Sequence, residues 1–308
     1  MIAETVSDKW KYYELIDSGN FEKLERFGRY IMIRPEPTAL WDRALPRKEW
    51  ERKANVEFTP GAGFSKAGKE DSGIWTVLRK MPEQWTVDYD VHTSQKKYKL
   101  VMRLGLTAFK HVGIFPEQAP NWDYIISQVE RLRSNVADNA WKPKVLNLFA
   151  YTGAASLAAC ATGADVTHVD AVKQVVTWAH QNEELSRLQG IRWIVEDAMK
   201  FVNRQVRRGT QYNGIILDPP AYGRGPDGER WKLDESLFAL LKGCAKILAP
   251  KNSFLVLNLY SNGYSSMLSD TLAACAFGQE GRRTSGELIL KDSFGRALQL
   301  SVFTRLER

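Results

Sequence analysis

Apolar positions along this chain follow two rhythms. Between about residues 28 and 115 they alternate with polar ones in short, aromatic-rich runs at 29–34, 54–58, 75–79, 84–89 and 98–106, separated by Pro, Gly, Asp and Ser. Alternation of period two places every second side chain on one face of a strand, so this stretch predicts a small, mostly β domain. The segment before it, centred on residues 9–25, reads as a helical lead-in filling residues 1–27. After Pro120 short apolar runs at 144–150, 165–170, 191–196, 213–218 and 253–259 alternate with amphipathic stretches at about 124–138, 153–162, 171–187, 197–208, 234–249 and 265–276. Strands alternating with helices mean βαβ units, hence a parallel sheet with right-handed crossovers, assigned to residues 116–308. The runs at 287–291 and 298–304 are joined by a turn with Gly295 and no helix, so they are expected to pair antiparallel at one edge of the sheet.

The run at 213–218 stops at Asp218-Pro219-Pro220 and is followed by Tyr222. Neither proline has an N–H and each restricts the residue before it, so a ladder cannot continue and the loop's carbonyls are left to accept hydrogen bonds. An aromatic ring two residues on can stack on a flat substrate. In open α/β sheets ligands sit outside the carboxyl ends of the strands, and four such ends here carry small or acidic residues. Phe149 to Gly153, including Tyr151 and Thr152, breaks one strand at a glycine where backbone can approach a ligand. Asp170 follows about twenty residues later, the spacing at which a carboxylate reaches a ribose diol. Asp197 with Ala198, and then Asp218, end the next two runs. Asp170 and Asp197 could equally cap the helices they precede. No Gly-x-Gly-x-x-Gly follows Leu148, which argues against a nicotinamide-dependent dehydrogenase.

Together the segments Gly113 to Gln118, Val145 to Gly153, Val169-Asp170, Glu196 to Ala198 and Leu217 to Pro220 resemble the class I S-adenosylmethionine-dependent methyltransferases. Residues 111–308 are similar in layout to the bacterial large-subunit (23S) ribosomal RNA enzymes. The resemblance implies a Rossmann-like, seven-stranded sheet with an antiparallel edge strand and S-adenosyl-L-methionine as cofactor. It implies that Phe115, Glu117 and the turn at Tyr151, Thr152 and Gly153 surround the methionine part, and that Phe149 also binds the cofactor. Asp170 and Lys173 would then approach the ribose, Asp197 and Ala198 the adenine, and Asp218 the methionine ammonium or the target, with Pro219, Pro220 and Tyr222 completing the catalytic loop.

In that family the 5-methylcytosine enzymes use a cysteine after the fifth strand. The corresponding stretch at 257–264 contains Asn258, Tyr260 and Ser261 but no cysteine, and Cys160, Cys244 and Cys275 fall in helix-like segments. Covalent addition needs a thiolate at that place, so a nitrogen target in a ribosomal RNA base is expected, with a protein or small-molecule target, or an inactive RNA-binding relative, as alternatives.

Charge adds little direction. The chain carries 43 basic and 36 acidic residues, a net +7, with 18 against 16 in residues 1–100 and 25 against 20 in the rest. RNA would therefore have to meet a folded patch rather than a basic tail. Candidates are Arg224, Arg230 and Lys232 beside Trp231, in a glycine-rich loop read as a flexible lid, and the helix face of Lys200, Arg204, Arg207 and Arg208. The family's separate RNA-binding domain does not fit into residues 1–27, so Trp41, Trp50 and Trp75 of the β region, expected to be exposed, or an assembled homodimer, would recognise RNA. Three scattered cysteines point to free thiols in a reducing cytoplasm and to no metal cluster. The N-terminus lacks a signal-peptide pattern, and no apolar run approaches a membrane span.

Overall fold

The computed structural model describes residues 2–6, 10–61, 72–93, 97–138, 140–260 and 263–308. The first strand, β1 (Ile2–Thr5), leads to a five-stranded sheet of β2 (Tyr13–Gly19), β3 (Glu22–Phe27), β4 (Tyr30–Pro35), β5 (Val56–Pro60) and β6 (Gly73–Val77), in that spatial order. Helix α1 (Arg47–Lys53) connects β4 to β5. A hairpin of β7 (Gln84–His92) and β8 (Lys97–Gly105) follows, then a short 3-10 turn, Pro116–Gln118, running into α2 (Ala119–Ser134). Thereafter come β9 (Lys144–Leu148), α3 (Ala154–Ala161), β10 (Asp165–Asp170), α4 (Lys173–Leu185), β11 (Arg192–Val195), α5 (Ala198–Arg208) and β12 (Gly214–Leu217). A small hairpin of β13 (Tyr222–Arg224) and β14 (Arg230–Lys232) precedes α6 (Leu233–Ile247), β15 (Phe254–Leu259), α7 (Ser266–Phe277), β16 (Arg282–Lys291) and β17 (Ala297–Glu307).

The large sheet has the order β1-β16-β17-β15-β12-β9-β10-β11. Strands β11, β10, β9, β12 and β15 run parallel, as the strand–helix alternation requires. Its helices lie on both faces because alternate residues of each strand feed different cores. Val145, Ile216, Phe254 and Val256 pack with α2 and α3, whereas Leu146, Leu148, Ile215, Leu217, Leu255 and Leu257 pack with α5 and α6. A strand buried on both faces reads as an unbroken apolar run, and that is how these runs read.

Three expectations are corrected. Residues 13–27 form the hairpin β2–β3 instead of a helical lead-in: Tyr13, Leu15, Asp17 and Phe27 are buried, a period-two pattern, and Gly19 and Asn20 turn the chain at positive φ. The large sheet has eight strands, not seven, since β1 adds to it in parallel with β16. The antiparallel strand is β17, which lies inside the sheet between β15 and β16, so the last hairpin does not end at an edge.

Buried charge ties the five-stranded sheet to the segment that follows β8. Arg34 donates from Nε and Nη2 to Glu25 Oε2, at 2.9 and 2.6 Å, and from Nη1 to the Lys110 carbonyl, at 3.0 Å. Tyr13 donates to Glu25 Oε1 at 2.8 Å, and Lys23 lies 3.1 Å from Glu36. Glu25 is fully buried and Arg34 is 4% exposed. Burial opposes ionisation of Glu25, but Arg34 and Lys23 hold its carboxyl below the usual range. Removing one partner of such a pair leaves an uncompensated buried charge, which typically costs about 3–5 kcal/mol. Arg34→Met is therefore expected to lower unfolding free energy by about that amount in chemical denaturation, and Glu25→Leu added to it should restore part of the loss.

Candidate active site

The carboxyl ends of β9, β10, β11 and β12 open into a cleft of about 310 Å³ lined by Phe115, Phe149, Tyr151, Asp170, Asp197, Ala198, Asp218, Pro220 and Tyr222, among others. Beneath it lies a smaller cavity of about 60 Å³ that shares Phe115, Phe149, Tyr151 and Asp218 and adds Gln118, Asn121, Asn147, Thr152, Gly153 and Asn258. Residues separated by more than a hundred positions thus converge because parallel strands all present their carboxyl ends on one side.

The turn after β9 is strained. Phe149 lies at φ 54° and Tyr151 at φ 49°, left-handed conformations that cost a residue with a side chain about 1–3 kcal/mol each. Gly153, at φ 89°, starts α3 where a Cβ would come within 3.1 Å of Ala179 Cβ. Asp170 helps hold this shape: its Oδ2 accepts from Tyr151 N and its Oδ1 from Val172 N, both at 2.9 Å. It is therefore not the N-cap of α4, a position filled by Val172. Burial pushes the Asp170 carboxyl up, and these amides pull it back down. Asp197 does cap α5, with Oδ1 accepting from Lys200 N at 2.9 Å, and lines the cleft at the same time.

Asp218 sits at the junction of cleft and cavity. Asn258 Nδ2 donates to its Oδ1 at 2.7 Å, while Ser301 Oγ donates to Asn258 Oδ1 at 3.0 Å, fixing the amide's orientation. Burial pushes the Asp218 carboxyl up to about 6, and the Asn258 hydrogen bond limits the rise. The Pro220 carbonyl accepts from Trp231 Nε1 at 2.7 Å. Phe115, Tyr151 and Tyr260 form an aromatic wall, with Phe115 5.2 Å from Tyr151 and stacked on Tyr260 at 6.3 Å.

Several expected roles move. Glu117 lines neither cavity; it is buried toward Lys23, Glu25 and Arg34, where desolvation pushes its carboxyl up to about 7 against the pull of Lys23. Lys173 is exposed at the start of α4 and lines neither cavity, and Pro219 is buried behind the cleft wall. Trp231 is 4% exposed and packs 4.8 Å from Phe149, so it braces the loop and is not free to stack on a nucleotide. The expected flexible lid is the β13–β14 hairpin. Trp50 is fully buried with Nε1 on Asp17 and is no stacking platform, whereas Trp41 and Trp75 are half-buried, their N–H groups donated to the Ser18 and Phe109 carbonyls. On α5, Lys200 pairs with Asp227 and Glu229, and Arg204 with Glu196, which offsets half of the expected basic face. Ser261 lies outside the described residues. The residues that sequence reasoning missed are Asn121 and Asn147 in the cavity and His111 in the cleft. Asn147 alone carried a signal, as a polar residue inside an apolar strand.

Cofactor chemistry fits these residues. Carboxylates at the ends of β10 and at the start of α5 suit ribose hydroxyls and an adenine amino group, and Ala198 and the exposed Val172 give the cleft apolar surface for a ring. Asp218 offers an anion at the entrance to the inner cavity, which suits a cationic sulfonium or ammonium.

Similarity to known proteins agrees. A family model described as "Conserved hypothetical protein 95" matches residues 129–227. The ribosomal RNA large subunit methyltransferase K/L of Shewanella frigidimarina is 29% identical over 172 residues, 54% of this chain and 22% of that protein. The Shewanella loihica protein of the same name is 32% identical over 150 residues, 47% of this chain and 20% of that protein. This chain thus spans about a fifth of the length of these curated relatives. SMU.776, solved in complex with SAH, shares the fold at 17% identity, with a TM-score of 0.69 over 97% of this chain and 76% of that one. The SAM-dependent methyltransferase from Agrobacterium tumefaciens is 39% identical with a TM-score of 0.84, covering 100% of this chain and 93% of that chain. With that likeness running the whole length, and with the strand-end carboxylates gathered around one cleft, this chain belongs to the S-adenosylmethionine-dependent methyltransferases.

Proposed function

We propose that the protein transfers a methyl group from S-adenosyl-L-methionine to a nitrogen of a base in ribosomal RNA, without a cysteine nucleophile. The observation that carries this reading is the Asp218-Pro219-Pro220 loop, which borders an aromatic-walled cleft and has an acceptor at its mouth. S-adenosylmethionine supplies a methyl group already activated for in-line transfer, so the protein's work is to place and polarise the acceptor atom. A planar amino group entering between Tyr222 and the wall of Phe115 and Tyr260 would donate its hydrogens to the loop. Because Trp231 engages the Pro220 carbonyl and Pro219 is buried behind the cleft wall, the acceptor offered to it is Asp218. Hydrogen bonds accepted from the amino group raise electron density on its nitrogen, and Asp218 can take the proton released by transfer.

Three features support a route without a thiolate. Cys160, Cys244 and Cys275 lie in α3, α6 and α7, away from the strand ends. Burial pushes the Cys160 thiol up to about 11 and the Cys244 thiol higher still. Asn258 and Tyr260, at the end of β15, offer a hydrogen-bonding amide and a ring where a nucleophilic cysteine would otherwise stand. The ribosomal RNA assignment draws on the curated relatives, whose names specify that substrate. All three cysteines are free thiols, in keeping with a reducing cytoplasm.

Labelled methyl transfer from S-adenosylmethionine should appear in total ribosomal RNA and not in total protein; label in protein alone would favour a glutamine-like amide target. Asp218→Ala should lower turnover at least about a hundredfold, and unchanged turnover would mean that the loop does not face the target. Asp170→Ala should act first on the cofactor Michaelis constant. The raised Asp218 pKa also sets a pH dependence. A bound cation favours the carboxylate, so cofactor affinity is complete above about pH 6 and falls as pH drops through that value, approaching tenfold per unit. Calorimetric titrations between about pH 5 and 7.5 should show this fall, and Asp218→Asn should flatten it.

A further inference from the structure

Gln118, Asn121 and Arg305 form a chain of amides and charge that runs from the sheet into the inner cavity. Arg305, on β17, is 6% exposed and donates to Asn121 Oδ1 from both Nε, at 3.0 Å, and Nη2, at 2.8 Å. Its charge is met by Glu4 of the added edge strand β1, whose Oε1 accepts from Nη1 at 3.0 Å and whose Oε2 lies 2.8 Å from Nη2. The guanidinium also lies 4.3 Å from the Phe303 ring centroid and 4.8 Å from that of Tyr124, which leaves it little freedom to move. Asn121 is 2% exposed, and its Nδ2 donates to Gln118 Oε1 at 2.8 Å.

A primary amide can turn end for end at almost no steric cost, so its neighbours decide which end faces where. The guanidinium only donates, so Asn121 must present its oxygen to Arg305 and therefore its NH2 to Gln118. Gln118 must in turn present Oε1 to Asn121. This leaves Gln118 Nε2, which has no protein partner among the described residues, as the end of the amide that can donate into the cavity Gln118 lines.

We propose that Arg305 and Asn121 are positioning residues that set the polarity of the Gln118 amide, so that it offers an N–H donor to the carboxylate of the cofactor's methionine part. The inference rests on the methionine part lying in the cavity beside Tyr151, Thr152 and Gly153. It also gives the eighth strand a purpose: Glu4 supplies the counter-charge that lets Arg305 stay ionised while buried.

The test compares two ligands that differ in the amino-acid end. S-adenosylhomocysteine carries the carboxylate, whereas 5′-methylthioadenosine keeps the adenosine and thioether without it. Asn121→Asp preserves shape and the pairing with Arg305 but accepts only, which turns Gln118 Oε1 toward the cavity. Calorimetry should show S-adenosylhomocysteine weakened about ten- to hundredfold, the worth of a hydrogen bond to a charged group, with 5′-methylthioadenosine unchanged. The same substitution in a Gln118→Leu background should have no further effect, since the relay acts only through Gln118. Gln118→Glu, at a partly exposed position, should give the same ligand pattern without disturbing Arg305, and it serves if the Asn121→Asp variant does not fold. Equal weakening of both ligands, an undiminished effect in the Gln118→Leu background, or unchanged binding of S-adenosylhomocysteine would overturn the relay. If the unaltered protein bound S-adenosylhomocysteine no more tightly than 5′-methylthioadenosine, the relay alone would fall; if it bound neither, the cleft itself would have been misassigned.

Discussion

The candidate site depends on how the chain leaves β9. Within five residues the backbone passes through two left-handed aromatics and a left-handed glycine before entering α3. Such a turn persists only if its surroundings compensate for the strain. Asp170 does so from the neighbouring strand, accepting from Tyr151 N while also closing its own turn at Val172 N. The Thr152 hydroxyl adds a 2.6 Å bond to the Gly113 carbonyl, which draws the loop carrying Phe115 against the same turn. Gly113 lies at φ 107° with Trp178 so close that a Cβ would come within 2.4 Å of its ring, so only glycine fits there. The aromatic wall, the cleft and the cavity mouth all follow from this one folded-back segment.

Outside that segment, buried charges act as joints. Asp17 accepts from the Leu45 amide and from Trp50 Nε1, both at 2.8 Å, and pairs with Arg296 from the β16–β17 turn. Arg34 and Glu25 join the five-stranded sheet to the Lys110 carbonyl, a few residues before Phe115. Arg305 ties β17, β1 and α2 together. Each joint links elements far apart in sequence, so the small β region is coupled to the methyltransferase sheet by directional bonds as well as by the shared core of Trp10, Tyr13, Trp122 and Ile125.

Much of the architecture was legible because it rests on local periodicity. The run at 253–259 matches β15 to within a residue, since a strand buried on both faces reads as a near-continuous apolar stretch, and the run at 165–170 matches β10 although its Thr167 and His168 are polar and buried. The hairpin β2–β3 was misread because its sequence, Tyr13 to Phe27, mixes charges that helices also carry; Glu25, Lys23 and Asp17 are polar yet buried, which hides the alternation. Trp231 and Trp50 were misjudged for a related reason. A tryptophan beside charges looks like an exposed platform, but here each N–H has a buried partner, the Pro220 carbonyl and Asp17.

By itself the sequence determined the alternation of strands and helices after Pro120, the carboxylates at successive strand ends and the proline-locked loop at Asp218, because these follow from backbone restriction and from spacing along the chain. Only the tertiary structure decided which of those groups meet. It turned Glu117 away to the seam between the sheets, left Lys173 outside, brought Asn258 onto Asp218 and placed Arg305 behind Asn121. Partners such as Arg305 and Asn121 stand 184 positions apart, and no periodicity or spacing records which side chains a folded sheet will place within 3 Å of one another.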